Sequence, residues 1–264
     1  MFNEGCNRVD KKLIHDRFAG HFATYEHEAI VQKKIALTLA QKISDFAGQP
    51  LGRVFEAGCG TGFLTKELAT RGLQTLFLND LVEEVLAPLR EQLREKGFAG
   101  DLQLMPGDVE NIAWPQDLDA VVSASAVQWF TDLPQFLRRA SCVLKKGGLL
   151  AFSHFGPENL HQIRALTGMG LTYPDHSDLR KMLEDDYEIN ELSEETYCQE
   201  FSAPLQVLRH LQQTGVTGIA NTFFRWTKQR LRDFDAAYIS RFSCGEKVYL
   251  TWHIHYVLCQ KRAQ

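Results

Sequence analysis

Apolar residues recur at three- and four-residue steps through the first 48 residues, at Phe18, Phe22, Tyr25, Ile30-Val31, Ile35, Leu39 and Ile43. That period predicts helices with one buried face. Asp45-Phe46-Ala47-Gly48-Gln49-Pro50 breaks the pattern with Gly and Pro. From Arg53 the texture changes to short apolar runs at 53–57, 74–79, 102–105, 118–123 and 148–153. Amphipathic stretches at 63–71, 82–96 and 133–144 lie between most of them. Short strands separated by helices predict βαβ units and an α/β parallel sheet covered on both faces.

After Phe155 the rhythm loosens. A helix is expected after Gly156-Pro157, with proline in its first turn, and another over 175–184. Strands are expected at 187–192 and 196–201, helices over 205–213 and 227–239, and a last strand at 247–259 rich in Val, Tyr, Thr, Trp and Ile. One domain over 1–264 follows: a helical lid at 1–48, a central unit at 53–155 with its remainder at 156–202, an insertion at 203–246 read as a cap over a pocket, and the last strand.

Composition narrows what this domain does. The 264 residues are 44% hydrophobic and 23% charged, as in an ordinary globular domain. The net charge of −4 argues against a general nucleic-acid binder. No apolar run approaches a membrane span, and Met1-Phe2-Asn3-Glu4-Gly5-Cys6 lacks the apolar core of a signal peptide, so a cytoplasmic protein without a membrane partner is expected. The six cysteines form no Cys-x-x-Cys pair and read as reduced thiols.

The candidate chemistry begins at Val54-Phe55-Glu56-Ala57-Gly58-Cys59-Gly60-Thr61-Gly62-Phe63, an apolar strand running through glycines into a helix. Glycines let the backbone turn sharply and let a ligand approach it, and the helix start offers amides. A nicotinamide fingerprint needs a small residue where Phe63 stands, so that match fails. Glu56 suits a cationic group. Asp80 ends the second run, where an acid can accept from both ribose hydroxyls, or can simply cap a turn. Gly107-Asp108-Val109 follows the third run, and Ser123-Ala124-Ser125-Ala126-Val127-Gln128-Trp129-Phe130 closes the fourth.

Glu-x-Gly-x-Gly-x-Gly at a strand-to-helix turn resembles motif I of the class I S-adenosylmethionine-dependent methyltransferases. The resemblance implies a Rossmann-like, mainly parallel seven-stranded sheet, with N-terminal helices and a helical cap inserted before the last strand. It also implies a cofactor site of Glu56, Gly58, Gly60, Gly62, Asp80, Leu81, Asp108, Val109 and Ser123, with Asp108 meeting the adenine amino group.

A narrower resemblance covers nearly the whole chain. It rests on Arg17-Phe18, Ala23-Thr24-Tyr25 and Val31-Gln32, the glycine turn, Gln128-Trp129-Phe130, Phe152-Ser153-His154-Phe155-Gly156-Pro157 with Leu160 and Arg164, Gly170-Leu171-Thr172-Tyr173-Pro174, Leu208-Arg209-His210-Leu211 and Thr214-Gly215-Val216. These stretches are similar to the malonyl-acyl-carrier-protein O-methyltransferases of biotin synthesis. Asn79 departs from the pattern, since relatives more often place an apolar residue before the acid. The resemblance implies methyl transfer from S-adenosylmethionine, leaving S-adenosylhomocysteine, to the free carboxylate of malonyl-acyl-carrier protein. The carboxylate is already ionised and the sulfonium already activated, so neither a general base nor a metal is expected.

Tyr25, Gln128, Trp129 and His154 are the candidate catalytic residues along the transfer line, with Arg17 or Arg164 on the distal oxygen of the acceptor. The insertion carries Arg209, Arg225, Lys228, Arg230, Arg232 and Arg241 against Asp233, Asp235 and Glu246, a basic dock for an acidic carrier protein or for a free acidic molecule. His253-x-His255 puts two imidazoles on one strand face, and with no third ligand visible in the sequence it reads as packing. Rival readings keep the fold and change the acceptor, to another carboxylic acid or a quinone ring, or drop methylation for an assembly role.

Overall fold

The structure is a computed structural model. It describes residues 9–214 and 226–263, without the side chains at 21–24 and 27. Two helices come first, α1 (Lys11–Glu28) and α2 (Ile30–Ala47). The side chain of Asp10 caps the first, and α2 buries Val31, Ile35, Leu39 and Ile43 along one face, as the three- and four-residue period requires. Then follow β1 (Arg53–Ala57), α3 (Phe63–Leu68), β2 (Thr75–Asp80), α4 (Leu86–Glu95), β3 (Asp101–Pro106), β4 (Leu118–Ser123), α5 (Leu133–Val143) and β5 (Leu144–Phe155). The remainder is α6 (His161–Thr167), α7 (His176–Leu183), β6 (Tyr187–Phe201), α8 (Pro204–Gln213), α9 (Lys228–Phe242), the short β7 (Ser243–Cys244) and β8 (Lys247–Lys261).

The strands join in the order β3-β2-β1-β4-β5-β8-β6, with β7 paired to β8. The first five are parallel; β8 runs antiparallel to both β5 and β6. This is the Rossmann-like arrangement that the motif I resemblance implies. β1 and β4 are buried almost throughout because helices cover both faces. One face packs against α2, α3, α4 and the α8–α9 insertion, and the other against α5 and α7.

Two elements differ from the pattern reading. The two strand pieces expected between 187 and 201 are one strand, whose register shift lies between Ile189 and Glu191. Its side chains alternate between half-buried and exposed because β6 is the sheet edge, and the polar half of that alternation reads locally as a gap. The helix expected after Pro157 starts only at His161, since residues 157–160 form a turn that ends with Leu160 in the left-handed region at φ 52°.

Candidate active site

The carboxyl ends of β1 to β4 open into a cleft of about 880 Å³, in the position where open α/β sheets hold ligands. Its floor is the turn after β1. Gly58 has φ +70°, and a Cβ there would lie 2.4 Å from the Cβ of Ala126, so both handedness and space require glycine. Gly62, at φ +84°, meets a different constraint: a Cβ would strike Leu89 at 2.3 Å. The roof comes from α1 and α2, through Lys11, Ile14, Phe18, Tyr25, Gln32 and Ala36.

Two buried acids define the polar side. Glu56 is 1% exposed, and Thr65 Oγ1 donates to its Oε2 at 2.7 Å. Burial, with Asp80 adding repulsion, pushes this carboxyl up to about 8. Asp80 accepts from the Gly60 amide at 2.7 Å and the Val82 amide at 2.9 Å, and burial raises it to about 6. Asp80 therefore ties the end of β2 to the glycine turn. Each carboxylate oxygen keeps lone-pair capacity for a further donor.

Asp108 accepts from Lys11 at 3.0 Å, and the same ammonium sits 2.6 Å from Glu110. Glu110 in turn accepts from the backbone amides of Thr131 and Asp132, joining the loop after β3 to the segment after β4. Tyr25 lies against Phe18 at 4.6 Å and Phe63 at 6.0 Å between ring centroids. Burial raises its phenol above the ordinary range, so it is a hydroxyl donor at neutral pH.

A family model described as a methyltransferase domain matches residues 55–152. A malonyl-[acyl-carrier protein] O-methyltransferase of Haemophilus ducreyi is 35% identical over 93% of this chain and 95% of its own. One from Prosthecochloris aestuarii is 37% identical over 96% and 95%. The chain belongs to this family of O-methyltransferases. Among solved structures, a Bacillus halodurans protein superposes with a TM-score of 0.62 at 18% identity, covering 85% of this chain and 99% of its own. Magnesium protoporphyrin IX methyltransferase from Synechocystis, solved with bound SAH, gives 0.58 at 16%, covering 96% and 99%. At such identities both speak to the fold alone.

The O-methyltransferase cleft is lined by Tyr25, Glu56, Gly58, Gly60, Asp80, Leu81, Asp108, Val109 and Trp129. Other candidates lie elsewhere. Gly62 sits behind the turn against Leu89. Ser123 is buried and donates to the Ala57 carbonyl at 2.7 Å, bracing β4 against β1. Gln128 donates to the Ser125 carbonyl at 2.5 Å, while its Oε1 is enclosed without a partner. His154 is 4% exposed, with Nδ1 2.5 Å from the Phe155 carbonyl oxygen, and burial lowers it to about 4, so it is neutral. Arg164 donates to the carbonyls of Asn159 and Pro157, so its guanidinium holds a turn instead of facing the cleft. Arg17 on α1 and Arg209 on α8 are outside the lining as well.

No described residue of the insertion lines this cleft; α8 and α9 pack on β8 and on α1 and α6. Ala23, Thr24, Gly215, Val216 and Arg225, singled out in the sequence, lie outside the described side chains.

Sequence reasoning missed Lys11, Glu110 and the work of Asn79. The Asn79 amide donates to the carbonyls of Met105 and Gly107, both at 2.8 Å, fastening the ends of β2 and β3 together. The signal was present as the unusual polar residue at the end of an apolar strand. Its meaning needed the neighbouring strand.

Proposed function

We propose that this O-methyltransferase methylates the free carboxylate of malonyl-acyl-carrier protein, using S-adenosylmethionine, and so makes the malonyl methyl ester that primes pimeloyl formation in biotin synthesis. The observation that carries the reading is kinship over nearly the full length to enzymes of that name, in a chain whose motif I turn floors the main cleft. The residues present fit such a cofactor: a backbone bared by glycine, a buried acid for a cationic amino group, and a second acid with free lone pairs.

Of the residues lining the cleft, Asp80 would hold the ribose hydroxyls, Leu81 and Val109 would lie beside the base, Asp108 would meet its amino group, and Glu56 would face the methionine ammonium. The cofactor supplies an activated methyl. Tyr25 and Trp129, at the α1 side and the end of β4, orient the acceptor. An acceptor carboxylate with a pKa of about 4 is ionised at neutral pH, so no residue needs to take a proton at the reacting centre, and no metal is needed there. What the chain contributes is orientation and exclusion of water, which can lower the barrier by roughly 7–11 kcal/mol. Gln128, Ser123, His154, Arg164 and Gly62 act as supports of this cleft. Arg209, Lys228, Arg230, Arg232 and Arg241 on α8 and α9 offer the carrier protein a basic surface.

The test is methyl transfer from labelled S-adenosylmethionine to malonyl-acyl-carrier protein, with the acetyl form as control. Label on the malonyl form alone, released by mild base as methanol, is expected. Cofactor binding without transfer would overturn the acceptor and retain the cofactor site.

A further inference from the structure

Away from the cleft, the antiparallel end of the sheet gathers an unusual set of side chains. His255 on β8 pairs across to His154 on one side and Glu194 on the other. His176, the first residue of α7, brings its ring to 4.5 Å from that of His255. His176, Glu194 and His255 each offer one ligand atom, and these atoms lie within 4.8 Å of one another. The ligand that the sequence lacked for His253-x-His255 is thus supplied from α7 and β6.

The separations from Glu194 to the two imidazoles approach those of a coordination sphere. Glu194 Oε2 lies 3.6 Å from His255 Nε2 and 3.8 Å from His176 Nε2. Two donors about 2.1 Å from a tetrahedral zinc ion lie roughly 3.4 Å apart. The same separations are too long for hydrogen bonds. His176 Nε2 is shielded from solvent without a hydrogen-bond partner, and His255 is 1% exposed. Buried polar atoms left in that state are costly.

His253 completes the picture one shell out. The Glu158 amide donates to its Nδ1 at 3.2 Å, which leaves the proton on Nε2, and Nε2 donates to Glu194 Oε2 at 3.1 Å. That bond orients the carboxylate. We propose that His176, Glu194 and His255 form a zinc site that staples α7 to β6 and β8, with His253 positioning the glutamate. None of the three lines the cleft, and with a water in the fourth position the ion would hold the start of α7 and the segment before it, whose Tyr173 stands edge-on to His154 at 5.7 Å. The proposal does not rest on the choice of methyl acceptor.

The experiment uses the full chain without a polyhistidine tag, stripped with a chelator, and follows thermal unfolding with and without zinc chloride. At a hundredfold excess over Kd, Tm is expected to rise by about 5–10 °C. His176→Ala and Glu194→Gln, both at partly exposed positions, should unfold near the parent temperature in chelator and lose that rise. Cobalt loading should give the visible bands of a tetrahedral site in the parent and not in either variant. No zinc-dependent rise in the parent would overturn the proposal. So would a rise of equal size in both variants, which would place the ion elsewhere, for instance on the exposed thiols of Cys142, Cys198 or Cys244.

Discussion

Glu56 and Asp80 carry opposite obligations in one cleft. Each is buried, which favours the protonated form, yet a cationic or hydroxylic ligand is held best by the ionised one. With Glu56 near 8, the free protein keeps a proton there at pH 7, and binding a sulfonium amino acid should release about one proton. Calorimetry in buffers of different ionisation enthalpy measures this; Glu56→Gln should abolish it, and a parent that releases none removes the ammonium assignment. The same shift sets a sign for stability. A carboxyl whose folded pKa is raised contributes most below 4.5, and that contribution fades as pH rises to about 8. Ligand-free Glu56→Gln should therefore lose less stability than the parent between pH 6 and 8, as read by denaturant midpoints.

At Asp80 the structure shows the turn role that the sequence left open, because its two oxygens accept from Gly60 and Val82; the ribose role belongs to the proposed function. Asp80→Ala should weaken cofactor binding by about 30- to 150-fold, the equivalent of ~2–3 kcal/mol for a charge-assisted pair. Unchanged affinity by calorimetry would end the ribose assignment. Tyr25→Phe should lower kcat by about tenfold while cofactor Kd stays within about twofold, and equal turnover would take Tyr25 out of the transfer site.

Among the elements, α1 lines the mouth of the cleft. It reaches across the cleft mouth and is fastened at several places, by Lys11 to Asp108 and Glu110, and by Glu26 to Lys66 at 2.6 Å. Partly exposed ion pairs of this kind contribute about 0.2–1 kcal/mol each, enough to bias a closed helix without locking it. Lys11→Ala should speed cofactor release about fivefold in stopped-flow measurements, with little change in Tm; an unchanged release rate would mean that α1 does not gate the cleft.

These contacts also mark the limit of reading elements from pattern. The α1 period was plain in the sequence, and so was the glycine turn, because both are local. Lys11 meets Asp108 across the whole cofactor half of the chain, and Asn79 meets Met105 across a helix, so no local window holds the signal. His154 and Arg164 drew notice by standing in a motif, but motif membership does not tell a residue that faces a ligand from one that props the loop behind it.

Across the whole molecule the sheet has two characters. Its parallel part, β3 to β5, was legible as short strands separated mostly by helices, though their order was not read from the sequence. Its antiparallel part, β8 and β6, is a long ribbon on which the insertion, α6 and the histidine cluster converge. The described part of the insertion braces this ribbon, through Phe234, Tyr238 and Phe242 packed in the same core as Val248 and Trp252. The position of a sequence insertion reveals where it leaves the sheet and not which surface it will cover.

β8 is the last strand in chain order, yet it lies between β5 and β6. On the ribosome, β5 and β6 are therefore both made before the strand that joins them, and through that interval each presents a bare edge. The α8–α9 insertion emerges in the same window, before the Trp252 that it packs against. Until β8 is made, the edges of β5 and β6 that it joins stay unpaired, and strand edges left bare are prone to wrong pairing.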